Sequence, residues 1–257
     1  SFFMPWGGQE VHAGEIYRTG ILETNLMQNG KADIYAEATY NKIGLNRFHD
    51  FNVDKNEIAN LHFKDSPTSN VTLNSLINTV QNQINIAGTV NAIRNNKIGG
   101  NLFFLSPGGM VITGSGAVNA GSLTVMTPTE DFFKKAGYDR EIIKVKDEQG
   151  KEIDNYKLKT VNLFSALVLS DDEPKEFLQL NGERIVKGNV ADITDPTKDA
   201  YQDVAIALNK SGSITVHGQI NAQTAMKLVA GKSIDISKDD SGVAPILRTG
   251  VVFNEVV

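Results

Sequence analysis

Cysteine is absent from this chain of 257 residues. That excludes a disulfide scaffold, thiolate zinc sites and a cysteine nucleophile. Long apolar runs are missing too: none approaches the roughly 18 residues that a membrane-spanning helix needs. Ser1-Phe2-Phe3-Met4 has neither the basic nor the apolar region of a signal peptide. Positive charge is in deficit, with 25 Lys and Arg against 30 Asp and Glu and a net charge of −5. A non-specific binder of nucleic acid or anionic membrane is therefore not expected. Proline is scarce (7) and tryptophan single, whereas glycine is abundant (23) and asparagine frequent. That balance predicts many turns between short strands. The length suits one large all-β domain or two ordinary ones. These bounds describe a soluble protein or the processed start of a longer one.

What is present is a repeated phrase. Gly-x-Val/Ile-Asn-Ala occurs at Gly88–Ala92, Gly116–Ala120 and Gly218–Ala222, which places Asn91, Asn119 and Asn221 at equivalent positions. Around each copy lies the same cycle of short apolar strands. The first runs from Ile84-Asn85-Ile86 through Gly88 and Val90 to Leu102-Phe103-Phe104-Leu105, with a polar Arg94-Asn95-Asn96-Lys97 turn on the way. A tight turn at Ser106-Pro107-Gly108-Gly109 starts the second at Met110-Val111-Ile112, and Ser213-Ile214-Thr215-Val216 starts the third. Ile214 to Ile234 advances 20 positions and Ile84 to Val111 advances 27, the spacing of three-strand coils in a parallel β-helix. A β-sandwich also alternates, but does not repeat one phrase three times. Glycine is expected at the corners, where a Cβ would clash, and the repeated asparagines should stack from coil to coil, satisfying backbone groups at a bend.

The expected architecture is therefore all-β: a parallel β-helix in a single domain of residues 1–257. A β cap occupies about 1–63, coils about 84–129 and 212–257, and an excursion about 130–211. Lone Trp6 reads as an anchor on the first coil, and Ile16-Tyr17 and Ile21-Leu22 as short strands. Phe48 and Phe51 flank a strand that ends at Val53, and Ile58, Leu61 and Phe63 read as a second strand after it. Leu73, Leu76, Ile77 and Val80 fall at i, i+3, i+4 and i+7, which predicts a helix over 72–83. In the excursion, Thr127-Pro128-Thr129-Glu130 is a capping box before a short helix over 131–136. Residues 142–146 and 152–158 alternate about Gln149-Gly150 as a hairpin, 161–169 reads as a buried strand, and Asp195-Pro196 as a second helix start. Residues 251–257 are apolar and lack the polar cap that a free solenoid end needs, so the chain is expected to be a piece of a longer one.

No catalytic site emerges. His12, His49, His62 and His217 share no metal-ligand spacing, and the acids at 171–173 and 239–240 sit in turns rather than at matching positions of successive cycles. Neither Gly99-Gly100 nor Gly108-Gly109 opens a helix or precedes Lys-Ser/Thr, so neither is a phosphate loop. No cofactor or metal is expected.

One stretch stands apart: Gly44-Leu45-Asn46-Arg47-Phe48-His49-Asp50-Phe51-Asn52-Val53. It resembles the Gly-x-Ser-His-Asn-x-Tyr/Phe-x-x-Phe-Asn-Val element of haemagglutination-activity, or two-partner secretion, domains. It keeps Gly44, Asn46, Phe48, Phe51, Asn52 and Val53 and is two residues short around the Ser-His pair. Ser106-Pro107-Gly108-Gly109-Met110 resembles the Asn-Pro-Asn-Gly-Ile turn of the same family. Asn95-Asn96-Lys97-Ile98 stands where the family carries Asn-Pro-Asn-Leu. The likeness covers about 14–130 and 212–237 and is greatest to leukotoxin-type filamentous adhesins.

The resemblance implies a right-handed parallel β-helix with an N-terminal cap, at the start of a very large exported adhesin or cytolysin of a Gram-negative-type bacterium. It implies a secretion signal rather than an enzyme. The periplasmic domains of a dedicated outer-membrane β-barrel transporter would recognise the unfolded chain, which would then fold at the cell surface. On this reading Asn52→Ala together with Phe51→Ala abolishes export. The rival expectations are a host-binding adhesin module and, further off, a polysaccharide lyase or hydrolase.

Overall fold

Runs of Ile, Val, Leu and Phe alternating with Asn, Thr and Ser bury one face of a strand and leave polar groups on the other. The computed structural model describes residues 14–40, 42–130, 140–158, 176–181, 184–189, 202–203 and 208–254. It opens with β1 (Ile16–Arg18), β2 (Lys31–Tyr35), β3 (Ala38–Tyr40), β4 (Ile43–Val53), β5 (Ile58–His62) and β6 (Ser75–Val80). The repeats supply β7 (Ile84–Ile86), β8 (Thr89–Arg94), β9 (Lys97–Ile98), β10 (Asn101–Leu105), β11 (Gly109–Ile112) and β12 (Ala117–Met126). The excursion holds β13 (Arg140–Lys146), β14 (Glu152–Leu158), β15 (Glu176–Asn181), β16 (Arg184–Asn189) and β17 (Gln202–Asp203). The last coils are β18 (Ser213–Val216), β19 (Gln219–Val229), β20 (Ser233–Ile236) and β21 (Ile246–Arg248).

Parallel pairing sorts these strands into three faces, the arrangement of a parallel β-helix. The first stacks the end of β4, then β7, β11, β18 and β20. The second stacks β2, β5, β8 and the starts of β12 and β19, then β21. The third stacks the start of β4, then β6, β10 and the ends of β12 and β19. Antiparallel strands occur at the cap, where β1 and β3 pair with β4, and in the β8–β9 hairpin. Asn95 and Asn96 turn that hairpin with φ of 55° and 59°, the backbone a two-residue type I′ turn requires.

Inward rows form the core. Ile84, Met110 and Ile214 align on the first face, Val90, Val118 and Ile220 on the second, and Leu76, Leu102 and Leu123 on the third. All are essentially inaccessible, each stabilising the stack by about 1.5–3 kcal/mol relative to exposure. The phrase glycines mark a tight corner. A Cβ on Gly88 would overlap the Asp54 and Glu57 carbonyl oxygens, on Gly116 that of Ile86, and on Gly218 those of Thr113 and Gly116. At the last coil the inward residues Ile234 and Ile236 are about half exposed (45% and 49%).

The excursion leaves and re-enters at one place. Asn209 N donates to Thr127 O (2.7 Å), and Pro128 bridges Leu208. Meanwhile β12 pairs directly with β19, so the insertion does not interrupt the stack. The predicted hairpin is there as β13–β14, antiparallel throughout; β15–β16–β17 form a second small antiparallel sheet. The helix over 131–136 and the strand over 161–169 lie outside the described residues, as do Trp6, His12 and Asp195-Pro196.

Three expectations are corrected. The segment 72–83 contains a strand, not a helix: β6 lies between β4 and β10. Both faces of β6 are covered, with Leu76, Asn78 and Val80 on one and Ile77 and Thr79 on the other. A strand buried on both sides mimics a helical stripe, and pairing on both edges outweighs intrinsic preference. Second, Ile84 aligns with Met110, not Val111; the one-residue difference decides which side chains face inward. Third, Ile21-Leu22 forms no strand beyond a single Arg18–Ile21 bridge, and both side chains are exposed. The parallel stack also starts at β2, inside the segment expected to act only as a cap.

Candidate functional site

The stretch Gly44–Val53 is almost the whole of β4, and β4 turns a corner. Its first part, Ile43–Phe48, lies on β6 in the third face, and Asn52-Val53 lies on β7 in the first. Alternation sends Gly44, Asn46 and Phe48 to one side of the strand. Gly44 is there because a side chain would run into Leu73, Leu76 and Ala36. Phe48 and Phe51 meet edge to face (centroids 5.2 Å), and Phe51 meets Phe104, two coils on in β10, in the same way (5.3 Å). With Val53 these rings are fully buried. Five of the six motif residues thus lie in the interior: Gly44 and Asn46 as well as Phe48, Phe51 and Val53. Asn52 is the exception, half-buried, with its Oδ1 accepting from Asn85 Nδ2 (2.9 Å).

Asn46 is wholly buried and every polar contact around it is specific. Its Nδ2 donates to Asn78 Oδ1 (3.1 Å), and its Oδ1 accepts from Arg18 Nη1 (2.9 Å) and Glu37 N (3.3 Å). Asn78 passes the chain on to the Phe103 carbonyl (3.0 Å). Beside it, Arg47 is held by Glu37: its N and Nε donate to Glu37 Oε1 (2.6 and 3.1 Å) and its Nη2 to Oε2 (3.0 Å). Arg18 also donates to Tyr35 O (2.7 Å) and sits 5.6 Å from the Phe48 ring centroid. A buried charged network of this kind ties β1 and the β2–β3 segment to β4 and leaves little freedom in how the cap sits.

The turn Ser106-Pro107-Gly108-Gly109-Met110 is a junction of three coils. Ser106 Oγ donates to Asn82 O below (2.8 Å), and Pro107 O accepts from Asn209 Nδ2 on the returning strand (2.7 Å). Gly109 closes the turn onto Ser106 O (3.1 Å) with φ of 79°. Met110 enters the core.

The repeated asparagines do stack, but not at a bend and not onto backbone groups. They run along the middle of the second face as a ladder of side-chain amides. Asn91 Nδ2 donates to Asn60 Oδ1 (3.1 Å), Asn119 to Asn91 (3.0 Å) and Asn221 to Asn119 (2.9 Å). The sequence reading missed its ends. Asn60 donates to Asp33 Oδ1 (3.2 Å), and Arg248 Nε donates to Asn221 Oδ1 (2.9 Å). Every donor points toward the N-terminus, so a carboxylate receives the last donor and a guanidinium covers the last acceptor, each of the favourable sign. The triads Ala32-Asp33-Ile34 and Ala59-Asn60-Leu61 lack the phrase glycine; an apolar–polar–apolar search without it would have found them, but not Leu247-Arg248-Thr249, whose third residue is polar.

At the ladder's acidic end His62 lies flat on Tyr35 (4.5 Å, 7°), and its Nε2–H donates to Asp33 Oδ1 (2.8 Å). Desolvation pulls the Asp33 carboxyl upward, but hydrogen bonds from His62 and Asn60 and the charge of Lys31 outweigh it and hold Asp33 below the usual aspartate range. The sign follows from linkage: a depressed folded value contributes stability that is full above the unfolded value of about 3.9 and is lost as pH falls through the folded one. Between pH 5 and 2.5 the thermal midpoint of Asp33→Asn should fall less steeply than that of the parent. Equal acid slopes would dismiss Asp33 as the ladder's titrating terminus.

The remaining candidates are local. His49 pairs with Asp50 (2.6 Å), and His217 Nδ1 donates to Ser237 O (2.9 Å). Asp239 is drawn below its ordinary range by the Val243 amide first and by Ser241; it closes its own turn. Among the described residues no three His, Asp or Glu side chains cluster as metal ligands, and no helix is long and apolar enough to cross a membrane. A cleft of about 320 Å³ on the third face is lined by Asn101, Phe103, Ser122, Thr124, Thr224 and Lys227. Compared with known proteins, the chain has no significant match to any family model, curated protein or solved structure.

Proposed function

We propose that this is the secretion domain at the head of a large exported adhesin or cytolysin, recognised by the periplasmic domains of an outer-membrane β-barrel transporter of the two-partner type. On this reading the passenger crosses the periplasm unfolded and the domain folds at the cell surface. The observation that carries it is β4: a strand resembling the family's secretion element links the antiparallel cap to the first and third faces of a parallel stack. Chain entering in that order can build the cap, seat β6 and β7 on β4, and then add coils, each templated by the last. Contacts between residues one coil apart form slowly compared with local ones, which favours a transit-competent chain. Before folding, the unpaired strands carry open backbone groups that can extend a partner's sheet edge.

The test separates recognition from folding. Because Phe51 is core, the paired Phe51 and Asn52 substitution mixes the two effects. Asn52→Ala alone removes one partly exposed amide and its bond to Asn85, costing about 1 kcal/mol, and leaves the backbone bond from Asn52 N to Glu15 O. Export of a passenger fused to Asn52→Ala should be abolished while the purified domain stays folded; undiminished export would refute the reading.

One observation favours a second reading, a host-glycan binding module. The third-face cleft offers the Phe103 ring beside Ser122, Thr124 and Thr224 hydroxyls and the Lys227 ammonium, groups suited to a sugar face and its hydroxyls. Sub-micromolar, sugar-competed binding of the purified domain to host cells would support it over the secretion role.

A further inference from the structure

Among the described residues the cap contains two buried polar side-chain atoms without a hydrogen-bond partner. Arg47 is 3% exposed and Thr19 is 1% exposed. Arg47 Nη1 and Thr19 Oγ1 have no hydrogen-bond partner among the described residues. The two belong together. Thr19 N donates to Arg47 O (3.0 Å), extending the β1–β4 pairing one residue past Arg18–Phe48. Residues opposite each other in an antiparallel pair put their side chains on the same face, with Cβ atoms about 4.5–5.5 Å apart.

Charge gives the pair a direction. Among the described residues Glu37 is the one carboxylate bonded to Arg47, and it takes N, Nε and Nη2. Arg18 is committed to Asn46 and to the Tyr35 carbonyl. Burial pushes the Arg18 guanidinium down; Glu37 opposes this and Arg47 adds to it. The network therefore holds two guanidiniums and one carboxylate, an excess of one positive charge around the buried Arg47. An uncompensated buried charge is strongly destabilising, and an unsatisfied buried donor adds to that. A neutral acceptor would answer the donors and leave the charge. An anion answers both.

We propose that Thr19 and Arg47 form a buried site in the cap for one small monovalent anion of chloride size. A guanidinium N–H and a hydroxyl from the same face of the β1–β4 pair would donate to it. A tetrahedral oxyanion needs more donors than this and more room than two nearly inaccessible side chains leave. A carboxylate's preferred two-pronged approach to the Nε–Nη2 edge of Arg47 is already taken by Glu37. An anion bound only by the native state stabilises it by mass action, so the stability of the cap follows halide concentration. The site stands whether or not the domain is a secretion signal.

Crystals of the protein soaked in sodium bromide test this directly, together with thermal unfolding in chloride or bromide against gluconate at equal ionic strength. A bromide anomalous peak between Arg47 Nη1 and Thr19 Oγ1 is expected. A midpoint about 5–10 °C higher in halide at roughly a hundredfold excess over the dissociation constant is expected too. Thr19→Val, nearly isosteric, should fold, lose the peak and lose the halide-specific increment. Density for a water or a protein oxygen at that position, no anomalous peak, or an increment that survives in Thr19→Val would overturn the proposal.

Discussion

Alanine at Gly109 is expected to destabilise the domain by about 2–5 kcal/mol, one of the two largest effects that the fold places on single residues. Two causes add. The backbone there has φ of 79°, and a left-handed conformation costs an ordinary residue about 1–2 kcal/mol. The new Cβ would also overlap the carbonyl oxygen of Ser213, a backbone atom of the adjoining strand β18. Relief requires β18 to move away from β11 along its whole register, Gly109–Ile112 on Ser213–Val216, and overpacking of this kind costs about 1–3 kcal/mol. Gly108→Ala is the internal control. Its Cβ would meet Gln83 at 3.0–3.2 Å with no positive φ, so a small shift absorbs it and the loss should stay near 1 kcal/mol, well inside the usual range for point substitutions. Urea unfolding of both variants reads the difference. Equal losses would mean that β18 yields freely, and that the turn is not what registers the coil after the excursion on the coil before it.

Truncation of Phe51 to alanine should cost about 3–5 kcal/mol, the usual range for removing a fully buried ring. The ring joins Phe48 of its own strand to Phe104 two coils on, so the change opens a cavity where the cap meets the first coils. Each lost edge-to-face pair adds about 0.5–1.5 kcal/mol. Asn52→Ala, one residue away, should lose only about 1 kcal/mol. A loss below about 1.5 kcal/mol for Phe51→Ala would show that Phe48 and Phe104 collapse into the space. This contrast decides how an export defect is read: a defect in Asn52→Ala reports on recognition, whereas one in Phe51→Ala includes the fold. The sequence motif alone gave both residues the same standing. Burial separates them.

Much of the stack was legible from residue order. The phrase at Gly88–Ala92, Gly116–Ala120 and Gly218–Ala222 predicted a coil repeat, and the three copies align residue for residue on the second face. Glycine at the corners was predicted for the right reason, since a Cβ there would meet carbonyl oxygens of the adjacent coil. Alternation also revealed the β13–β14 hairpin, because a hairpin is a local structure whose register its own turn sets.

The failures share one cause. Segment 72–83 satisfied the helical template because a strand covered on both faces carries apolar residues on both, here Leu76 and Val80 opposite Ile77, and only the neighbours β4 and β10 distinguish the two. The register of β7 on β11 was misjudged by one residue because turn lengths, not side chains, set it across a gap in sequence. Asp33 and Arg248 at the ladder's ends, and Glu37, Arg18 and Thr19 around Arg47, carry no local signal at all. Their hydrogen-bond partners lie up to 29 residues away in the chain.

The sequence by itself determined that this chain forms parallel coils: period, glycine placement and recurrent asparagine are properties of residue order, and each coil repeats them. Only the tertiary structure decided what the polar residues do. It made Asn60, Asn91, Asn119 and Asn221 one directed chain between a carboxylate and a guanidinium, and set two arginines against one glutamate beneath β1. Hydrophobic burial is non-directional and can be read from periodicity, whereas a hydrogen bond or an ion pair depends on which atoms meet, and in a solenoid those atoms come from different coils.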